Sequence, residues 1–137
     1  MNILDIRKVF EIEGDKLDLV FEGQKRLKAK YDPIEKKKGI YVPMLPMDVN
    51  CCLNQEYLKS LFYRIVTELV EASECLKSKP WKQSEVLVDK DHLFEELSDC
   101  FHFFLELCIC LEITSEKLFQ LYFKKHEVNS WRIETNY

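Results

Sequence analysis

The sequence contains little of the two residues that most often interrupt regular structure, with three glycines and four prolines in 137 residues. So few turn residues argue against a protein made of many short strands joined by tight turns. No stretch alternates apolar and polar residues long enough to indicate a strand. The sequence therefore favours long helices, and the expected fold is an all-α bundle of four to five helices.

The chain also lacks a long apolar run and a strong charge of one sign. Its longest apolar stretch, around LCICL at residues 107–111, is far below the ~20 residues that span a bilayer. The N-terminal segment has charges every few residues and no signal-peptide core. The net charge is −4, and the lysines at 36–38 are too few for a broad basic face, so we expect neither a membrane nor a nucleic acid as partner.

Cysteine pairs with metal-ligand spacing are likewise missing. The six cysteines form no CxxC pair and no Cys/His pattern. Cys100 and Cys108 lie in apolar helical sequence, where a free cysteine behaves as a small core residue. Reduced thiols in a reducing compartment follow, so we expect a cytoplasmic protein, and the length suits one domain over residues 1–137.

Apolar spacing and capping residues place the helices. The helices are predicted at about residues 15–30, after Asn54 to about 77, from near Asp89 to about 112, and from Thr114 or Ser115 onward, with a short one at 2–10. Residues 31–50 contain three of the four prolines and are predicted not to form a regular helix. A connector of that length is usually functional or mobile. The last residues, from 132, are predicted to form a tail.

Two pairs of acids stand out on the second and third main helices. Glu68 and Glu71 are three residues apart, as are Glu96 and Asp99, so each pair shares one helix face. A short connection makes the two helices antiparallel neighbours, and four carboxylates then converge. Such a cluster requires cations, and an oxygen-only ligand set suits Mg²⁺ or Mn²⁺ and phosphate chemistry. The alternative is a solvated helix face, which is the usual meaning of a single pair.

A ferritin-like di-iron bundle is a competing interpretation of these acids. It needs Glu-x-x-His on each of two helices. The carboxylate-x-x-His pairs here, Asp89 with His92 and Asp99 with His102, share one helix and begin with aspartate. We therefore expect His92 and His102 to be packing or surface residues.

The segments ELVE (68–71) and EELSD (95–99) resemble the ExxE…ExxD signature of the all-α nucleoside triphosphate pyrophosphohydrolases, the MazG-like superfamily. KPWK (79–82), DCFHFFLEL (99–107) and the segment 121–137 are similar to its dimeric dUTPase and phage dCTPase/dUTPase branch. The resemblance implies a MazG-type bundle assembled as a homodimer or larger oligomer. It also implies Mg²⁺-dependent hydrolysis of dUTP, dCTP or both to the monophosphate and pyrophosphate, with Mn²⁺ as a substitute ion.

The same resemblance assigns roles to individual residues. Glu68, Glu71, Glu96 and Asp99 bind the metal, and Glu68 or Glu71 orients or deprotonates the attacking water. The expected substrate contacts are Gln24, Lys125, Asn129, Arg132 and Tyr137, with Lys79, Trp81 and Lys82 at the connector near the mouth of the site. Trp81 either covers the nucleotide or plugs the end of the bundle.

Departures from the family pattern concern the base rather than the metal. Lys28 stands where dUTPases commonly have an asparagine four residues after Gln24, and His126 replaces another asparagine. Base identity is therefore left open. Two alternatives to a dUTP or dCTP enzyme also remain: a MazG-like house-cleaning pyrophosphatase of broad or modified-base specificity, and a helical binding module without turnover.

Overall fold

A computed structural model describes residues 2–85 and 87–136. It contains five helices, which are α1 (Ile3–Phe10), α2 (Lys16–Lys37), α3 (Cys52–Glu74), α4 (Lys90–Cys110) and α5 (Ser115–Glu134). The described residues include no strand, so the predicted all-α class and helix number are confirmed. None of these helices combines the length and the apolar character that crossing a membrane requires.

Local sequence explains most helix starts. The Asp15 side chain accepts hydrogen bonds from the backbone of Leu17 and Asp18 and so caps α2. Asp89 caps α4 in the same way, and Thr114 caps α5 through the backbone N–H of Lys117. These are the starting points that the sequence predicts.

Three boundaries were predicted wrongly. Helix α2 continues through Pro33 to Lys37, although residues 31–50 were expected to be irregular. Pro33 has no backbone N–H to donate to the carbonyl of Ala29, four residues earlier. Ala29 is exposed, so its carbonyl can bind water instead. Helix α3 begins at Cys52, and helix α5 extends to Glu134 in place of the predicted tail.

Asn54 was predicted to cap the start of α3, but it lies inside the helix and is buried. Its side-chain oxygen accepts a hydrogen bond from the Tyr41 hydroxyl at 2.7 Å, and its amide donates to the Asp48 carbonyl at 2.9 Å. Met47, in the same connector, packs in the core. Asn54 therefore fastens the α2–α3 connector to the bundle instead of capping a helix.

Contacts between named side chains give the helix directions. Tyr57 near the start of α3 bonds Glu106 near the end of α4, while Glu68 late in α3 lies beside Glu96 and Asp99 early in α4. These two helices are therefore antiparallel, as predicted. Lys28 and Glu35 of α2 pair with Tyr57 and Arg64 of α3, so α2 runs parallel to α3.

The core consists of two clusters that meet at the C-terminal half of α4. Leu107 and Cys110 pack with Leu61 of α3, whereas Leu105 and Cys108 pack with Phe21 of α2. The two cysteines are two residues apart and so face opposite sides of the helix. Residues 105–110 of α4 are thereby buried on both flanks.

Helix α5 lies mostly outside this core. The Ser115 hydroxyl donates a hydrogen bond to the Asp18 carboxylate of α2, and Leu118 packs against the second cluster. None of the described α5 residues is buried. Its aromatic side chains, including Phe119, Tyr122 and Trp131, are exposed.

Candidate metal and nucleotide site

Three of the four predicted carboxylates meet between α3 and α4. One oxygen each of Glu68, Glu96 and Asp99 lies within 4.8 Å of the other two. Glu96 is buried, Glu68 is half-buried and Asp99 is exposed, so the group opens to solvent on one side. Glu71, one turn after Glu68, is exposed and lies outside this trio.

The electrostatics of Glu68 show how closely these acids are placed. Burial raises the pKa of the Glu68 carboxyl, and the negative charges of Glu71, Asp99 and Glu96 raise it further. A raised pKa means that the folded protein resists carrying this charge without a compensating cation. Glu71 is thus near enough to act on the trio although it does not join it.

The donor set fits a hard divalent cation. Glu68, Glu96 and Asp99 offer only carboxylate oxygens, which Mg²⁺ and Mn²⁺ prefer over softer ligands. Mg²⁺ keeps several waters and uses a few carboxylates together with substrate phosphates, so an open, three-sided group suits it. His92 reaches Glu96 from the exposed side, with its Nε2 3.5 Å from Oε1.

A cavity of about 470 Å³ extends from these acids along the groove between α2, α3 and α4. Its walls include Glu68 and Asp99 at the metal end and Gln24 and Glu106 farther along. Glu106 follows Asp99 by seven residues, which is two helical turns and about 10 Å. The cavity therefore joins the acidic trio to a second polar region.

Arg64 and Glu35 line the cavity between these two regions. The Arg64 guanidinium lies 3.6 Å from the Glu35 carboxylate and 5.8 Å from the centre of the Phe103 ring. Both contacts orient its planar donor group. Arg64 is the one guanidinium among the described lining residues, against the four carboxylates of Glu35, Glu68, Asp99 and Glu106.

Gln24, predicted as a substrate contact, is in the cavity wall and almost fully buried. It is 4% exposed, and its Oε1 atom has no hydrogen-bond partner among the described residues. An unpaired buried amide oxygen costs free energy, so this position is suited to a ligand that donates a hydrogen bond. The position of Gln24 agrees with its predicted role, which stays a prediction.

The other predicted substrate contacts do not line the cavity. Lys79, Trp81 and Lys82 are exposed in the α3–α4 connector. Lys125, Asn129 and Arg132 are exposed along α5 and are not among the residues that line the cavity. Tyr137 lies outside the described residues.

Arg64 and Glu106 line the cavity but were not singled out from the sequence, although helix periodicity marks them, and His102, which was expected to be a packing or surface residue, lines it as well. Arg64 precedes Glu68 by four residues, so it shares the face of the acids. His102 and Glu106 follow Asp99 by three and seven residues on the same face of α4. The His102 ring nitrogen Nδ1 lies 2.8 Å from the Ser98 carbonyl, which accepts its hydrogen and fixes the ring at the cavity wall.

A comparison with protein families supports the expected relationship. A family model described as dUTPase matches residues 16–117, which include α2, α3, α4, the trio and the described cavity lining. No curated protein and no solved structure matches the chain. The match covers most of the chain, and the described fold is all-helical, as in that family. The chain therefore belongs to the all-α dUTPase family.

Proposed function

We propose that this protein hydrolyses a pyrimidine deoxynucleoside triphosphate, dUTP or dCTP, to the monophosphate and pyrophosphate in a Mg²⁺-dependent reaction. The observation that carries the proposal is the carboxylate trio of Glu68, Glu96 and Asp99 at one end of a cavity large enough for a nucleotide. Membership of the dUTPase family supports the same chemistry. The six free thiols fit a reducing compartment, and we place the enzyme in the cytoplasm.

The charge of the cavity explains why a metal is required. Four carboxylates and one guanidinium line it, so a triphosphate meets net negative charge. Phosphate and carboxylate groups repel each other at such distances unless a cation lies between them. Glu68, Glu96 and Asp99 would hold Mg²⁺, with Mn²⁺ as a substitute. When bound, the ion neutralises phosphate charge and lowers the pKa of water.

The remaining side chains bind and orient. Glu71 is close enough to raise the pKa of Glu68 yet remains exposed beside the trio, so we assign it to orienting the attacking water. Arg64, held by Glu35, presents a charged fork to the phosphates. Gln24 at the other end of the cavity contacts the base through its unpaired amide oxygen.

A second copy of the chain is part of the proposal. Lys125, Asn129 and Arg132 lie on α5 away from the cavity, while the resemblance assigns them to nucleotide binding. Exposed aromatic residues on the same helix indicate a surface that a partner covers. In a homodimer, α5 of one subunit would supply these side chains to the site of the other.

Pyrophosphate release from each of the four common deoxynucleoside triphosphates, with Mg²⁺ and with EDTA, tests the function. We expect Mg²⁺-dependent release from dUTP or dCTP, and a loss of at least a hundredfold in Asp99→Asn because a ligand of the metal is removed. Glu95→Gln is the matched control, since Glu95 is exposed on the same helix and does not belong to the trio.

Each outcome of this panel has a distinct meaning. A flat profile, or a preference for a purine or modified base, would assign the protein to the house-cleaning type. No release from any nucleotide would assign it to the binding modules. Asp99→Asn activity within a few-fold of the wild type would refute the metal site.

A further inference from the structure

An ionic cluster that is buried except at Asp32 borders the cavity at the end far from the carboxylate trio. It consists of Lys28 and Asp32 of α2, Tyr57 of α3 and Glu106 of α4. The Lys28 ammonium lies 2.7 Å from Asp32, 3.4 Å from the Tyr57 hydroxyl and 4.0 Å from Glu106. The Tyr57 hydroxyl donates to Glu106 at 3.1 Å. The side chains of Lys28 and Glu106 are only 6% and 8% exposed.

Burying such charges is costly, because each ion loses its hydration shell. Burial raises the pKa of the Glu106 carboxyl, while the charges of Lys28 and Arg64 and the Tyr57 hydrogen bond oppose that rise. An apolar side chain would pack at this position without the penalty. Packing alone therefore does not explain why charged residues occupy this position.

The two carboxylate oxygens of Glu106 have different surroundings, and this difference suggests a role in ligand binding. The contacts from Tyr57 and Lys28 both reach Oε1, and Glu106 lines the cavity. Among the described residues, no hydrogen bond or ion pair reaches the second carboxylate oxygen, Oε2, which can therefore accept from a donor in the cavity. Gln24, in the same wall, also presents an unpaired oxygen. The charged oxygen of Glu106 favours a ligand that donates a hydrogen bond, and the Gln24 amide can accompany it by presenting its oxygen.

The position of Glu106 identifies which part of a nucleotide it meets. The phosphates belong at the trio, and Glu106 lies two turns of α4, about 10 Å, beyond Asp99. Phe103 and Tyr31, which also line the cavity, offer flat surfaces for a ring. The ligand group at Glu106 is therefore on the base.

The two pyrimidines differ at the position that a carboxylate distinguishes best. The 4-position is the ring atom opposite the nitrogen that carries the sugar, so it is the part of the base that reaches Glu106 at the far end of the cavity. There cytosine carries an amino group, which donates, whereas uracil carries an oxygen, which accepts. The neighbouring N3 has the reverse pattern, since it carries a hydrogen in uracil only, so the selection depends on the contact at the 4-position. A carboxylate bonds the amino group and repels the oxygen. Gln24 does not discriminate in this way, because an amide rotates to donate or accept.

We propose, on the basis of the function proposed above, that Glu106 selects the base and that it favours cytosine over uracil. Tyr57 and Lys28 are positioning residues, which hold the Glu106 carboxylate through Oε1 and direct Oε2 to the cavity. The protein is then a dUTPase-family member whose preferred substrate is dCTP. Lys28 contributes to this preference because its ammonium group lies beside both Tyr57 and Glu106 Oε1.

The test is the ratio of kcat/KM for dCTP to kcat/KM for dUTP in the full-length protein with Mg²⁺. We expect a wild-type ratio of about tenfold to a hundredfold, the range of one charge-assisted hydrogen bond. Glu106→Gln should lower this ratio at least tenfold, because an amide donates to uracil as well as it accepts from cytosine. Glu56→Gln, an exposed acid next to Tyr57 on α3, should leave the ratio unchanged.

Tyr57→Phe gives a second variant should Glu106→Gln fail to fold, since it removes only the hydroxyl. Its ratio should fall in the same direction, mostly through a higher KM for dCTP. A merely structural role for Tyr57 would lower activity with both substrates equally and would overturn the positioning assignment. Circular dichroism verifies folding of each variant.

Binding of dCMP and dUMP, measured by calorimetry, separates this inference from the proposed function. Tighter binding of dCMP that Glu106→Gln abolishes supports base selection even if no pyrophosphate is released. Turnover of dUTP equal to or faster than that of dCTP, with no difference between the monophosphates, would overturn the inference while leaving the hydrolase standing.

Discussion

Replacing Glu68 by glutamine should make the metal-free protein more stable. Its carboxylate lies within 4.8 Å of an oxygen of both Glu96 and Asp99. In water, two unit charges at that distance repel by about 0.9 kcal/mol, and physiological salt lowers this to about 0.5 kcal/mol. Two neighbours contribute about 1 kcal/mol, which corresponds to a rise of about 3–4 °C in the Tm of a chain of this length.

In Mg²⁺, the wild type should be more stable than Glu68→Gln, the reverse of their order in EDTA. At a Mg²⁺ concentration of 100 times Kd, the wild type gains about 2.7 kcal/mol from binding, or about 9 °C in Tm. Glu68→Gln lacks one of three ligands and should gain little. Differential scanning calorimetry in EDTA and in MgCl₂ therefore should show the variant above the wild type in the first buffer and below it in the second.

Glu95→Gln controls for the change in net charge, because Glu95 is exposed on α4 and outside the trio. This control should behave as the wild type in both buffers. A Glu68→Gln protein that is less stable than the wild type in EDTA, and that still gains stability from Mg²⁺, would refute the assignment of these acids to a metal.

Further predictions concern pH, the connector and the thiols. The pKa of Glu68 is raised, so its proton must leave before a cation is held, and the Mg²⁺-induced rise in Tm should shrink as pH falls from 8 to 5. Asn54→Ala removes two hydrogen bonds from the α2–α3 connector and should cost about 1–3 kcal/mol in urea unfolding. Burial raises the pKa of the Cys110 thiol to about 11, so mass spectrometry after brief iodoacetamide treatment should find Cys52 alkylated and Cys110 intact.

Helix number, class and the pairing of α3 with α4 follow from features that the sequence carries locally. Asp89 and Thr114 are strong caps, and each acidic pair repeats at helical spacing. Local rules also explain the errors. Pro33 and Asn54 were assigned from their usual preferences. Pro33, however, lies on an exposed turn that tolerates a lost hydrogen bond, and Asn54 is held by Tyr41 and Asp48 of the connector that precedes its helix.

The sequence predicted the metal end of the candidate site but not the end that contains Glu106. The ExxE and ExxD pairs indicate the metal end because the chemistry of four acids is unusual by itself. Glu106 carries no such local signal, since it becomes notable only when Lys28 and Tyr57, 78 and 49 residues away along the chain, surround it. Contacts among three helices depend on the tertiary structure. Helix periodicity shows which residues share a face of one helix, but it does not show which residues of the other helices pack against that face.

The uneven burial of α4 has a consequence for hydrogen exchange. Its last six residues, 105–110, are buried between both core clusters, whereas most of residues 90–104, which carry Glu96 and Asp99, are exposed. The buried end should exchange its amides only on global unfolding, and residues 90–104 should open locally at lower free energy. A cation held by Glu68, Glu96 and Asp99 would join α3 and α4 near the connector between them. Protection of the α4 amides against exchange should then extend toward Lys90 when the ligand binds. Ligand binding and the local opening of this part of α4 are therefore coupled equilibria.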